Sequence, residues 1–147
     1  MMKVIIIDDE PLARSIVREY LEQHQDINIV AERGDGFAGV KAIAQHEPDL
    51  IFLDIQMKRL DGLATAERIR ERDEDVYLVF ITNLANYAIR GYAVHALDFI
   101  LKPVNFLMLR QVLMIYSADQ IVAGPVEHIK MIAAELIFDA TVAKQEL

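Results

Sequence analysis

Between Lys3 and Tyr116 the chain alternates short apolar runs with longer segments whose apolar positions recur at helical spacing. Val4-Ile5-Ile6-Ile7 is β-branched and apolar at consecutive positions, the pattern of a strand covered on both faces. Pro11 suits the first turn of a helix, where its missing N–H costs nothing, and Leu12, Ile16, Val17 and Leu21 carry the helical spacing to about His24. Ile27 to Ala31 predicts a second strand and Gly34-Asp35-Gly36 a turn. Phe37, Val40 and Ala44 predict a second helix ended by Glu47-Pro48. Leu50-Ile51-Phe52-Leu53 predicts a third buried strand that runs into Asp54, and Asp61 is placed to cap a helix with Leu63, Ala66 and Ile69 inward. A strand over Val76 to Ile81, a short helix around Asn86 to Arg90 and a strand over Ala96 to Leu101 follow. A helix opened by Pro103, with Phe106, Leu109, Val112 and Leu113 on one side, completes the series. Five successive strand–helix units predict an α/β domain, a parallel sheet with helices on both faces.

The character changes at Ser117. Residues 117–125, with Gly124-Pro125, read as a connector, and 126–147 as a helical appendage. Ile129, Ile132, Ala133, Leu136, Ala140 and Ala143 form one apolar stripe of that appendage, and Met131, Ala134, Phe138 and Val142 a second. Two stripes predict contact on more than one side, from the domain, a second subunit or a further domain; a strand at Leu136 to Phe138 is the alternative. The expected division is a domain over 1–116, a connector over 117–125 and an appendage over 126–147.

Composition narrows the function classes. Fifty-four per cent apolar residues in a chain of 147 support a core and exclude general disorder. Lys and Arg number 15 against 23 Asp and Glu, a formal charge of -8, which excludes wrapping nucleic acid with the whole surface. With no cysteine, disulfides, thiol catalysis and thiolate metal ligands are excluded, and a reducing cytoplasm fits. No run approaches the roughly 18 apolar residues of a membrane span. Asp8 ends the first apolar run too early for an export signal, so a soluble cytoplasmic protein is expected.

Polar residues at the strand ends supply the candidate chemistry, because ligands of an open parallel sheet gather beyond the carboxyl ends of its strands. Asp8, Asp9 and Glu10 follow the first strand, Asp54 ends the third, Thr82 the fourth and Lys102 the fifth. Carboxylates placed together repel unless something positive joins them. A hard divalent ion with oxygen ligands, Mg²⁺, answers that problem. Lys102 adds a point charge and Thr82 a hydroxyl donor, and the whole suits a phosphoryl group. Taken singly, each residue also reads as an ordinary turn or cap. Arg68, Arg70 and Arg72, with Lys58 and Arg59 near, read as a solvated face among Glu67, Glu71, Asp73, Glu74 and Asp75. His24, His46, His95 and His128 have no companion ligand pattern.

Four stretches carry a family resemblance. VIIIDDEP (Val4 to Pro11), LIFLDIQMKRLDG (Leu50 to Gly62), Phe80-Ile81-Thr82 and ALDFILKP (Ala96 to Pro103) resemble, in order, the motifs of bacterial two-component response-regulator receiver domains. YAIRGYAVHALDFILKP (Tyr87 to Pro103) is most similar to receivers attached to LytTR-type DNA-binding domains. The resemblance implies a flavodoxin-like (βα)5 fold with strand order 2-1-3-4-5. It implies that Asp54 accepts a phosphoryl group from a sensor histidine kinase. Asp8, Asp9, Asp54 and the backbone carbonyl of Gln56 would hold Mg²⁺, Thr82 and Lys102 would take the phosphoryl oxygens, and Phe99 would be the aromatic switch residue. Glu10 matches a common acidic neighbour. Such a domain is a self-modifying phosphoacceptor with autophosphatase activity, not a turnover enzyme.

The same resemblance implies transcription regulation as output, with DNA reached only through a domain absent from this chain. Candidate homodimer surfaces are the face of the fourth helix, fifth strand and fifth helix, or the C-terminal helix. Some positions depart from the family. Lys58 stands where proline is usual, Asn83 where a small residue is usual, and Leu84 at a site that influences phosphate lifetime. Phe99 lacks the hydroxyl of a tyrosine, so its switching would act by packing. The rival readings are a phosphorylation-independent interaction module and a phosphatase working through an aspartyl intermediate.

Overall fold

A computed structural model describes residues 1–83 and 94–121. The helix expected at Asn86 to Arg90, together with Leu84 and the appendage over 126–147, lies outside the described residues. The elements are β1 (Met2–Ile7), α1 (Pro11–Leu21), β2 (Ile27–Arg33), α2 (Gly36–His46), β3 (Leu50–Asp54), α3 (Gly62–Arg72), β4 (Tyr77–Thr82), β5 (Asp98–Leu101) and α4 (Phe106–Ile121). The strands pair in parallel in the order β2-β1-β3-β4-β5, with flanking helices, as the strand–helix alternation predicts. Two compact units divide the chain, Met1–Leu109 and Arg110–Leu147. The first holds the sheet; of the second, the described residues continue α4.

The central strands earn their place by being apolar throughout. Val4 to Ile7 and Leu50 to Leu53 are wholly excluded from solvent. Around them Ile5, Ile7, Ile51, Leu53, Leu78 and Phe80 form one core with Leu63, Ala66 and Ile69 of α3. Register then fixes the carboxyl edge. Ile7 pairs with Leu53, Asp54 with Ile81 and Thr82 with Leu101. The residues that follow or end these strands therefore emerge side by side.

The helix starts are set by local chemistry. Pro11 opens α1. Asp35 Oδ1 accepts from the Ala38 N–H and Asp61 Oδ1 from the Ala64 N–H, each at 2.8 Å, satisfying donors that the first helical turn leaves free. At α4 the expectation fails. Pro103 does not open the helix; Asn105 does, its Oδ1 accepting from the Met108 N–H at 2.9 Å, and the helix begins at Phe106. Helix α4 also runs through Ser117 to Ile121, so the change of composition at Ser117 does not end it. Strand β5 begins at Asp98 rather than Ala96, while α1 stops at Leu21, three residues before His24.

Candidate functional site

The strand ends bring four acids together. Asp8, Asp9, Glu10 and Asp54 each offer a carboxylate oxygen, and these oxygens lie within 4.8 Å of one another. Asp8 and Asp54 are buried, Asp9 half-buried and Glu10 exposed. Backbone contacts fix Asp8. Its N–H donates to the Arg33 carbonyl at 3.0 Å, its Oδ1 accepts from the Glu10 N–H at 2.9 Å, and its own carbonyl accepts from Arg14 Nη1. Asp54 Oδ1 accepts from the Gln56 N–H at 3.2 Å.

Lys102 reaches this group from the end of β5. Its Nζ lies 2.8 Å from Glu10 Oε1, 3.3 Å from Asp8 Oδ2 and 3.6 Å from Asp54 Oδ2. Nζ also donates to Asp8 Oδ1 at 3.4 Å, but its contacts with the two Oδ2 atoms lack hydrogen-bond geometry, and Asp8 Oδ2 and Asp54 Oδ2, both buried, accept no hydrogen bond. One ammonium thus faces three carboxyl groups, with Asp9 a fourth acid in the cluster. Burial, the Asp8 charge and a hydrogen bond shared with Asp8 push the Asp54 carboxyl from 3.8 up to about 8, against the opposing pull of Lys102 and the Gln56 N–H. Burial pulls the Lys102 ammonium down, but its hydrogen bond to Glu10 and the charges of Asp8 and Asp54 outweigh that and raise it.

Partnerless buried oxygens beside excess negative charge test the fit of a cation. A hard, oxygen-seeking dication satisfies both the lone pairs and the charge, and an all-carboxylate donor set favours Mg²⁺ over softer metals. The acidic set matches the Mg²⁺ pocket of receiver domains.

The other expected residues fall around this pocket in different ways. Thr82 is buried at the end of β4, beside the strand that carries Asp54. Phe99 stacks on Phe80 with ring centroids 5.2 Å apart and planes at 29°, packed against the core. Asn83 is exposed.

Three residues escape the sequence reading. Gly62 lies under the end of β3, where an added Cβ would stand 2.1 Å from the Asp54 carbonyl oxygen; its N–H donates to the Ile55 carbonyl at 2.8 Å. The Asp61-Gly62 pair that opens α3 is its signal in the sequence. Arg14, one turn into α1, touches the Asp8 carbonyl. Arg70 corrects the reading of a solvated arginine face. It donates to the backbone carbonyls of Val94 at 2.7 Å, Val76 at 2.6 Å, Asp73 at 3.2 Å and His95 at 3.3 Å. Arg59 and Arg68 do face outward, each with its guanidinium 5.4 Å from the Phe37 ring centroid.

An open parallel sheet that closes one acidic cation pocket and a lysine at its carboxyl edge defines a phosphoryl-handling signalling module. The chain belongs to the response regulator receiver domain family, whose model matches residues 4–114. Its receiver fold and the acidic cluster at the carboxyl edge of the sheet are consistent with phosphorelay signalling. It is 42% identical over 105 residues to the transcriptional regulatory protein BtsR of Escherichia coli strain K12, covering 71% of this chain and 44% of that protein. The chain therefore spans less than half the length of that curated relative. Among solved structures it resembles the response regulatory domain of MrkE from Klebsiella pneumoniae, with 34% identity, a TM-score of 0.71, and 76% and 92% of the two chains covered. It also resembles a chain of the CheX–CheY–BeF3–Mg²⁺ complex from Borrelia burgdorferi, with 25% identity, a TM-score of 0.72, and 77% and 87% covered. Among the described residues no helix is long and apolar enough to cross a membrane.

Proposed function

We propose that Asp54 is the phosphoacceptor, taking its phosphoryl group from a phosphohistidine of a sensor histidine kinase. An Asp54 carboxylate oxygen attacks phosphorus, the P–O bond forms as the P–N bond breaks, and the imidazole nitrogen leaves with the electron pair. Asp8, Asp9, Asp54 and the Gln56 carbonyl would hold Mg²⁺, which supplies countercharge to the equatorial oxygens. Thr82 donates its hydroxyl to a phosphoryl oxygen. Lys102 exchanges Glu10 for the phosphoryl charge, within a pocket whose donors need little reorganisation. Phosphorylation adds about -1.5 to -2 charges, and the movement of Thr82 and Lys102 toward them releases Phe99 to repack. The observation that carries this reading is the pair of buried, partnerless oxygens on Asp8 and Asp54 beside the Lys102 ammonium.

The output is read as transcription regulation by a receiver of the LytTR-associated kind. The Tyr87 to Pro103 motif supports that assignment, and the similarity to the Escherichia coli transcriptional regulatory protein supports a transcriptional output. The organisation proposed is a receiver over 1–116, a connector over 117–125 whose residues 117–121 continue α4, and an appendage over 126–147. Pairing of two copies would use β5 with its neighbouring helices, or the appendage.

Phosphate release from acetyl phosphate with Mg²⁺ separates this reading from its rivals. A receiver consumes donor in a burst of one equivalent, followed by slow turnover set by hydrolysis of its own acyl phosphate. Sustained release from small esters without a kinase identifies a phosphatase. No modification by acetyl phosphate or by the cognate kinase identifies an interaction module.

A further inference from the structure

We infer that Arg14 is a positioning residue for the metal pocket, holding the Asp8 main chain so that the Asp8 carboxylate faces Asp54. The inference rests on the Mg²⁺ reading above and extends it to a residue outside the acidic set. Arg14 sits one turn into α1, its N–H bonded to the Glu10 carbonyl at 3.2 Å. That is an unfavourable place for a cation, near the positive end of the helix dipole and beside a dication pocket. Helix stability does not explain it; its contacts do.

The guanidinium of Arg14 makes two contacts on separate segments. Nη1 donates to the Asp8 carbonyl, and Nε lies 3.9 Å from Glu32 Oε1 near the end of β2. Glu32 is also held by Arg18, with Nη1 3.4 Å from Oε2. A Cβ on Gly34 would meet Arg14 Nη1 at 3.5 Å, so the guanidinium lies close against the chain leaving β2. Glu32 thereby offsets the Arg14 charge and aims the fork of N–H groups at the Asp8 main chain. With the Asp8 N–H on Arg33 and its Oδ1 on the Glu10 N–H, the Arg14 contact completes a frame. The remaining Asp8 oxygen, Oδ2, accepts no hydrogen bond and has only the Lys102 ammonium near it at 3.3 Å.

Positioning and simple charge predict opposite signs. If Arg14 acted only as a nearby positive charge, Arg14→Met would relieve repulsion and tighten Mg²⁺ binding. If it positions Asp8, the same substitution loosens the pocket; partners behind metal ligands are commonly worth about 10- to 100-fold in affinity. Arg14→Lys keeps the charge but loses the planar fork, so it also weakens binding. Arg18→Met removes the other partner of Glu32 without touching Asp8 and serves as the control.

The test is calorimetric Mg²⁺ titration of the full chain in these four forms, with thermal melts in EDTA to establish that each is folded. The expected result is about tenfold or greater weakening in Arg14→Met, weakening in Arg14→Lys, and binding within about twofold of wild type in Arg18→Met. Equal or tighter binding by folded Arg14→Met overturns the inference and leaves the Mg²⁺ reading intact. If Arg14→Met does not fold, Arg14→Lys decides by the same criterion. Absence of Mg²⁺ uptake by the wild type overturns the reading itself, and the inference with it.

Discussion

Lys102 donates to Glu10 at 2.8 Å while its ammonium stands 3.6 Å from Asp54, so the lysine leans toward the exposed carboxylate and away from the buried one. Glu10 thus parks the cation that the phosphoryl group would later recruit. In Lys102→Met the Asp54 carboxyl loses a charge that pulls its titration down, and moves above about 8. Carbon NMR of the labelled carboxyl reads that direction. Phosphorylation by acetyl phosphate falls on the order of 100-fold, as for loss of one preorganised countercharge. Unchanged titration and rate would remove Lys102 from the site.

Asp54 also makes metal uptake and stability depend on pH. A carboxyl raised to about 8 must release its proton before it binds a cation. Mg²⁺ affinity therefore rises with pH and levels above about 8. The folded state binds this proton more tightly than the unfolded state, whose value is near 3.8. The resulting stabilisation is complete below the unfolded value and is lost as pH rises through the folded one. In EDTA the melting temperature of the wild type falls between about pH 4 and about pH 8 relative to Asp54→Asn. Parallel curves for the two proteins would contradict it.

Gly62 supports the same strand end by its lack of a side chain. A Cβ would stand 2.1 Å from the Asp54 carbonyl oxygen and 2.7 Å from Ile55 Cα, both backbone atoms that cannot yield cheaply. Gly62→Ala costs about 1–3 kcal/mol by overpacking and shifts the Asp54 strand end. Urea denaturation measures the first effect, and Mg²⁺ titration the second.

Arg70 gathers carbonyls from the end of α3, the entry to β4 and the stretch before β5. His95 there holds a left-handed backbone at φ 54, which a non-glycine residue keeps only when its surroundings enforce it. Arg70→Met leaves these acceptors without their donor and costs about 2 kcal/mol. Hydrogen exchange at the Leu97 amide, bonded to the Leu78 carbonyl at 2.7 Å, accelerates with it.

What the sequence makes legible here follows from physics that is local in the chain. Val4 to Ile7 and Leu50 to Leu53 are apolar at every position, so they announce central parallel strands, and the acids that follow them must share an edge. Arg68, Arg70 and Arg72 look alike in sequence; only the three-dimensional phase of α3 against β4 and the stretch before β5 turns Arg70 onto carbonyls. Pro103 and Asn105 are both plausible helix openers, and the choice depends on where β5 ends. Ser117 is compatible with a helix as well as with a connector, and a composition change does not reveal which. Arg14 carries no pattern of its own, because its partners Asp8 and Glu32 lie on two different strand ends.

The most direct measurement is the intact mass of the full chain after incubation with acetyl phosphate and Mg²⁺, for wild type and for Asp54→Asn. The wild type is expected to gain the mass of one phosphoryl group, EDTA to prevent the gain, and Asp54→Asn to gain none. A wild type left unmodified by both acetyl phosphate and its kinase, or an equal gain by Asp54→Asn, would contradict that expectation.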